Sequence, residues 1–351
     1  MACTNVTARQ QEKYDWLLIY YMPYDNNLSD LSSTIIDQIK NADYDGKVGV
    51  TLQADLEGAG GMSRYIFDKK NDSFHIEEES SASSETLTDY LIWVANNYKA
   101  KHYAIIFLNH GGKLNEYGSD QYPDPVWMPI NEMANAISEF NKAAQIDKID
   151  LLFEQICTRA TVENLYEFRE VAKFTLASQD LLPAPGYYYT KVISALSKQN
   201  IKSGSQLADL IIQSEKESMY YSLSLIDNSR WDTWLSYLDE YVKELQMKSY
   251  QLASNKIKIL VYEGQSYFDF SSLVVATTNN QSIPKSALSF QSNTKNALQK
   301  RLYINPGNNR MKDYSGLSIC SPFSDLKNPL SIYKTSTYSS YLSILQEIRK
   351  N

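Results

Sequence analysis

Apolar residues along the chain fall into short compact runs that alternate with stretches of helical spacing. WLLIYYM (16–22) is an apolar run stopped by Pro23, the pattern of a buried strand. NNLSDLSSTIIDQIK follows with Leu28, Leu31, Ile35, Ile36 and Ile39 on one helical face. KVGVTLQADLE (47–57) predicts a second strand, and RYIFDKK with SFHIEEE a hairpin around Asn71–Asp72. ETLTDYLIWVANNY predicts a helix, and HYAIIFLNHGG (102–112) a buried strand ending in glycines. Next come a helix (INEMANAISEFNKAA), a strand (IDLLFEQIC), a helix beginning directly after it (TRATVENLYEFREVA) and a strand (KFTLASQD).

Such alternation predicts an α/β fold with a mainly parallel central sheet and helices on both faces. The last third is mixed. SLSLID leads to a long helix at 228–248, then SNKIKILVYEG and strand-rich sequence to SGLSICSPF. One compact unit is expected: a polar, disordered tether over 1–13, a catalytic α/β domain over 14–250, and a mixed α/β C-terminal extension over 251–351 packed onto it.

Composition narrows the chemistry. A formal charge of −7 with interspersed signs gives no basic face for nucleic acid. Three cysteines and three histidines lack metal-ligand spacing, and no Gly-rich phosphate loop occurs. No metal site is expected on these grounds. Cys3, ahead of a polar tether, suits either a lipidated membrane anchor or an incidental thiol.

In a parallel sheet functional groups gather at the carboxyl ends of strands. Two such ends carry reactive side chains, His110 in FLNHGG and Cys157 in FEQIC. They lie 47 residues apart with one helix between them, so their strands are expected to be neighbours. A thiol and an imidazole at adjacent tips are the minimum for thiol nucleophilic catalysis. The helix expected after Cys157 would favour a thiolate. Gly111, lacking Cβ, could bring its N–H to an oxyanion together with the Cys157 amide. A strand-end cysteine is otherwise a small buried hydrophobe, which is how Cys320 reads. His75 and His102 read as half-exposed strand residues.

In these residues the chain resembles the clostripain family of cysteine peptidases, relatives of caspases, gingipains and legumain. The likeness rests on WLLIYYMPYDNNLSD with its D-N-N-L turn, FLNHGG, IDLLFEQICTRATVENLYE with Glu163 in register, and YSGLSICSPF. LASQDLLPAPGYYY and SLIDNSRWDTW fall in the expected order, so it spans about Tyr14 to Phe323. It implies a caspase-like fold, His110 as catalytic imidazole, Cys157 as nucleophile, peptide or protein substrates, and hydrolysis through a thioester. It also implies an exported bacterial enzyme, expected as a monomer. The resemblance allows calcium, for which Asp25, Asp120 and Asp124 offer oxygen, although their spacing is not that of a calcium loop.

The pattern breaks at the primary pocket. Family members that cut after Arg or Lys carry Asp two residues before the nucleophile; here stands Gln155. A neutral amide lacks the charge-assisted pair, a loss of roughly 1.5–3 kcal/mol. Asp180, with Ser178 in the same segment, is the candidate compensating acid, whereas Glu154 should face the opposite side of its strand. Ile156 replaces a usual small residue. The loop after His110 offers no basic residue between Lys113 and Lys142, so no trypsin-like self-cleavage is expected there. Two functions remain: an endopeptidase with altered specificity, or a catalytically idle relative acting as a surface binding module.

Overall fold

The computed structural model describes residues 14–350 apart from 58–60, 78, 122–125, 279–281, 308 and 322–329. Both the N-terminal tether with Cys3 and the candidate ligand Asp124 lie outside the described residues.

The first half alternates as the pattern predicts. β1 (Tyr14–Tyr24), α1 (Ser32–Lys40) and β2 (Val48–Leu56) are followed by the hairpin β3 (Ser63–Phe67) and β4 (Asp72–His75). Then come α2 (Ser84–Asn97), β5 (Ala100–Leu108), the small pair β6 (Tyr117–Asp120) and β7 (Val126–Met128), α3 (Ile130–Ala144) and β8 (Ile149–Gln155). α4 (Val162–Glu167), β9 (Ala172–Ala177), α5 (Tyr189–Lys198), α6 (Gly204–Ser214) and β10 (Ser222–Asp227) complete the central layer.

β15 (Gln299–Ile304) joins these strands in a nine-stranded sheet of order β15-β10-β9-β8-β5-β1-β2-β3-β4. Its middle is parallel, from β9 through β8, β5 and β1 to β2, and antiparallel strands extend both edges. Period-two alternation sends Leu17, Ile19 and Tyr21 of β1 to one face, against α2 and α3, and Trp16, Leu18 and Tyr20 to the other, against α1 and α5. Both faces are therefore covered, which explains why the central strands read as unbroken apolar runs. α6 packs on β8 through Gly204, where a Cβ would lie 1.8 Å from the Asp150 carbonyl oxygen.

The last third is built on α7 (Trp231–Met247), β12 (Ile259–Tyr262), β13 (Gln265–Asp269), α8 (Phe270–Ala276), α9 (Lys285–Asn293), β16 (Ser318–Cys320) and α10 (Ser336–Lys350), with β11 (Gln251–Leu252) and β14 (Thr277–Thr278) as a minor pair. Its core mixes Ala160, Val162, Leu165 and Trp231 with Phe268, Ile319 and Tyr338, so one apolar cluster spans the expected boundary at 250.

The helix expected directly after Cys157 forms only as the six-residue α4. Thr158 adopts φ +56, and the turn after Cys157 is held by Thr158 N–H to Asp180 O (3.0 Å) and Ala160 N–H to Ser178 O (2.8 Å). The Thr161 side chain then caps α4 by accepting from Asn164 N–H. Tertiary hydrogen bonds have replaced the first helical turn, and a helix dipole at Cys157 is not part of the site.

Candidate active site

β5 and β8 pair in parallel with Leu108 opposite Gln155, so His110 and Cys157 each lie two residues beyond the same register point. Gly111 closes the gap. A Cβ there would meet the Cys157 carbonyl oxygen at 2.8 Å and Ile156 Cγ2 at 2.9 Å, so only glycine lets the histidine segment lie this close to the cysteine turn.

The D-N-N-L turn at the end of β1 orients this segment. His110 Nε2–H donates to Asn27 Oδ1 at 2.7 Å, which leaves Nδ1 as the basic nitrogen of the neutral ring. Buried Asn26 donates to Asn109 Oδ1 (3.1 Å) and the Ser119 carbonyl (2.8 Å), tying the β1 turn to the residue before His110. Burial lowers the His110 pKa below the ordinary 6.5, and the nearby Glu263 carboxylate opposes the shift.

Cys157 is half-buried. Its sulfur accepts from Leu182 N–H at 3.3 Å and donates to the Leu182 carbonyl at 3.9 Å. Burial raises the thiol pKa, with Leu182 and Tyr262 opposing. Both shifts favour the neutral forms, thiol and imidazole. Cys320 is fully buried in β16, and burial pushes its pKa up strongly, as expected for an inert thiol.

Arg159 binds the two halves together. It is 1% exposed, and its guanidinium donates to the carbonyls of Cys157 (3.0 Å), Gly112 (2.7 Å), Lys113 (3.3 Å) and Glu116 (3.2 Å) while lying 5.0 Å from the Tyr117 ring centre. Below it, Glu154 is raised by burial to about 8 and accepts from Asn164. Glu163, raised by burial to about 7, accepts from Tyr338 O–H (2.7 Å) and Cys320 N–H (3.0 Å).

The candidate pocket residues are differently placed. Gln155 is buried, accepting from Tyr188 O–H at 2.9 Å and donating to Tyr189 Oη at 3.0 Å, on the face opposite Glu154. Asp180 turns its carboxylate to Arg310, with Nε 2.7 Å from Oδ2. Ser178 is fully buried and hydrogen-bonds inward to the Asp180 amide, so its hydroxyl faces no open surface. His102 stacks on Trp16 near the start of β5, and His75 lies exposed on β4.

Asp25 and Asp120 were legible in the sequence as oxygen donors; Asp55 and the groove beside His110 were not. Asp25 and Asp120 come together with Asp55, all buried, with ligand oxygens within 4.8 Å of one another. A groove of about 320 Å³ runs beside His110, bordered by Gly111, Asp120, Trp127, Tyr262 and Glu263.

Comparison with known proteins agrees with this architecture. The sequence profile of the clostripain family matches residues 20–341. Clostripain of Hathewaya histolytica is 23% identical over 324 aligned positions, covering 74% of this chain; the chain spans about 60% of that relative's length. A secreted C11 cysteine protease from Bacteroides thetaiotaomicron, solved with an irreversible peptide inhibitor, superposes with a TM-score of 0.70 at 17% identity, covering 94% of this chain and 99% of that one. An inactive zymogen C11 protease from Parabacteroides distasonis gives 0.68 at 16%, with the same coverage. At these identities the superpositions speak for a shared fold.

Proposed function

Because the chain belongs to the clostripain family, we propose that it is a cysteine endopeptidase in which Cys157 and His110 form the catalytic dyad. The observation that carries this reading is their common level beyond paired strands, closed by Gly111. Cys157 Sγ attacks the scissile carbonyl carbon as its proton passes to the imidazole. The C–N bond then breaks, His110 returns the proton to the leaving amine, and a thioester remains. Water activated by the same imidazole hydrolyses the thioester and restores the thiol. Gly111 N–H is assigned to the oxyanion.

Specificity follows from the neutral pocket floor. Gln155, satisfied by two tyrosines, offers no carboxylate to a substrate guanidinium, and Asp180 is already engaged by Arg310. The primary preference is therefore read as not strongly basic. A positional-scanning peptide library, run beside an active-site thiol probe, tests both parts. Labelling should vanish in Cys157→Ala and persist in Cys320→Ala, with basic residues favoured less than tenfold over uncharged ones at the cleavage position. Equal, slow labelling of both thiols would establish instead the surface binding module.

Calcium, allowed by family resemblance, has a fitting donor set in Asp25, Asp55 and Asp120, three hard carboxylates at the ends of β1, β2 and β6. A bound ion would offset their mutual repulsion and hold the D-N-N-L turn against the groove. Millimolar calcium is expected to raise the thermal midpoint by a few degrees in the wild type. Asp55→Asn should melt at or above the wild type without calcium and lose the response to it. An unchanged wild-type midpoint would remove calcium from the account.

Residence outside the cytoplasm is part of the same proposal, since the Bacteroides structure is of a secreted protease. Among the described residues no helix is long and apolar enough to cross a membrane.

A further inference from the structure

β12 and β13 form a hairpin whose two-residue turn has Glu263 at φ +47 and Gly264 at φ +71, the left-handed pair that a tight hairpin demands. The residues flanking this turn are fastened to the histidine segment. The Tyr262 hydroxyl donates to the Gly111 carbonyl at 2.7 Å, and Gln265 Oε1 accepts from Leu114 N–H at 2.7 Å. Tyr262 and Glu263 both line the groove beside His110 and Gly111. One hairpin thus borders His110 and is fastened to Gly111 and Leu114, the residues just beyond it.

A substrate carbonyl must come within about 3–3.5 Å of Sγ, next to Gly111. The Tyr262 hydroxyl, bonded to the Gly111 carbonyl, stands beside that seat. Tyrosine has one hydroxyl proton, and the Gly111 carbonyl takes it. The groove beside His110 is bounded by the Tyr262 ring, so withdrawal of that ring would extend it to the nucleophile.

We infer that the 259–269 hairpin is a cap and that Tyr262 is a gating residue, which holds the substrate carbonyl's seat until the hairpin lifts. This rests on the assignment of Cys157 as nucleophile. Before acylation the Tyr262–Gly111 and Gln265–Leu114 hydrogen bonds break, and substrate backbone takes their place. Opening is reversible and needs no peptide-bond cleavage.

The test uses the full chain as wild type, Tyr262→Phe and Gln265→Ala. The second variant loosens the hairpin without touching the thiol. Mass spectrometry follows alkylation of Cys157 by iodoacetamide at neutral pH, with buried Cys320 reporting global unfolding. Both variants should alkylate Cys157 at least about fivefold faster, the worth of one net hydrogen bond, with Cys320 unchanged. KM for a cleaved peptide should fall, while kcat changes less than twofold. Slower alkylation in Tyr262→Phe, or a tenfold loss of kcat at constant KM, would make the hydroxyl part of the catalytic machinery and overturn the cap. Unchanged alkylation in both variants would also overturn it. If alkylation accelerates but no protein cleaves peptide, the cap stands and the peptidase assignment falls.

Discussion

Cys157→Ala is expected to fold like the wild type and to hydrolyse peptides at least about a thousandfold more slowly, the scale seen when a covalent nucleophile is removed. The half-buried thiol makes two weak backbone hydrogen bonds, both to Leu182, so its loss should cost under about 2 kcal/mol of stability. His110→Ala should lose a similar factor, and the double variant little more, because the two act as a unit. The pH profile gives a second readout. Neutral imidazole is the competent base, and burial lowers its pKa, so the acid limb of kcat/KM should fall below pH 6.5. Removing the Glu263 charge with Glu263→Gln should move the limb lower still. A limb above pH 6.5 would instead indicate a resting thiolate–imidazolium pair.

Arg159→Ala should produce the largest loss of stability near the site, about 3–5 kcal/mol in urea unfolding, because hydrogen bonds from a charged donor are worth roughly 1.5–3 kcal/mol each and several are lost at once. The contributions of its hydrogen bonds are not additive. Four carbonyls, from Cys157, Gly112, Lys113 and Glu116, lose a charged donor together, and no water-sized group can reproduce its planar fork. The folded fraction should also lose kcat, because the same bonds hold the histidine segment against the cysteine turn. Arg159→Lys should recover less than half of the stability, since an ammonium cannot span four acceptors in a plane. A variant within 1 kcal/mol of wild type and with normal kcat would disprove the clamp.

Much of the site was legible because its determinants are local. A compact apolar run followed by His-Gly-Gly, or by a cysteine, places a polar group at a strand tip, and one crossover makes the tips neighbours. The helix after Cys157 was misplaced because its periodicity continues back to Thr158, whereas the backbone there hydrogen-bonds to Ser178 and Asp180. Asp55 ends β2, and the strand-end rule that selected His110 applied equally to it. Arg159 and Tyr262 carried no such signal. One follows the nucleophile in an apparent helix; the other is one of 27 tyrosines, in a short strand, and comes to the dyad only through tertiary pairing. Asn27 was visible as part of a motif, but its bond to His110 exists only in three dimensions.

β16 comes from the last tenth of the chain, yet it supplies the backbone amide of Cys320 to Glu163 and pairs Ser318 with Thr161, next to the nucleophile turn. A ribosome that has released only the first 300 residues has therefore made every dyad atom without the strand that braces them. The brace on the turn after Cys157 can form only once residue 320 has been synthesised.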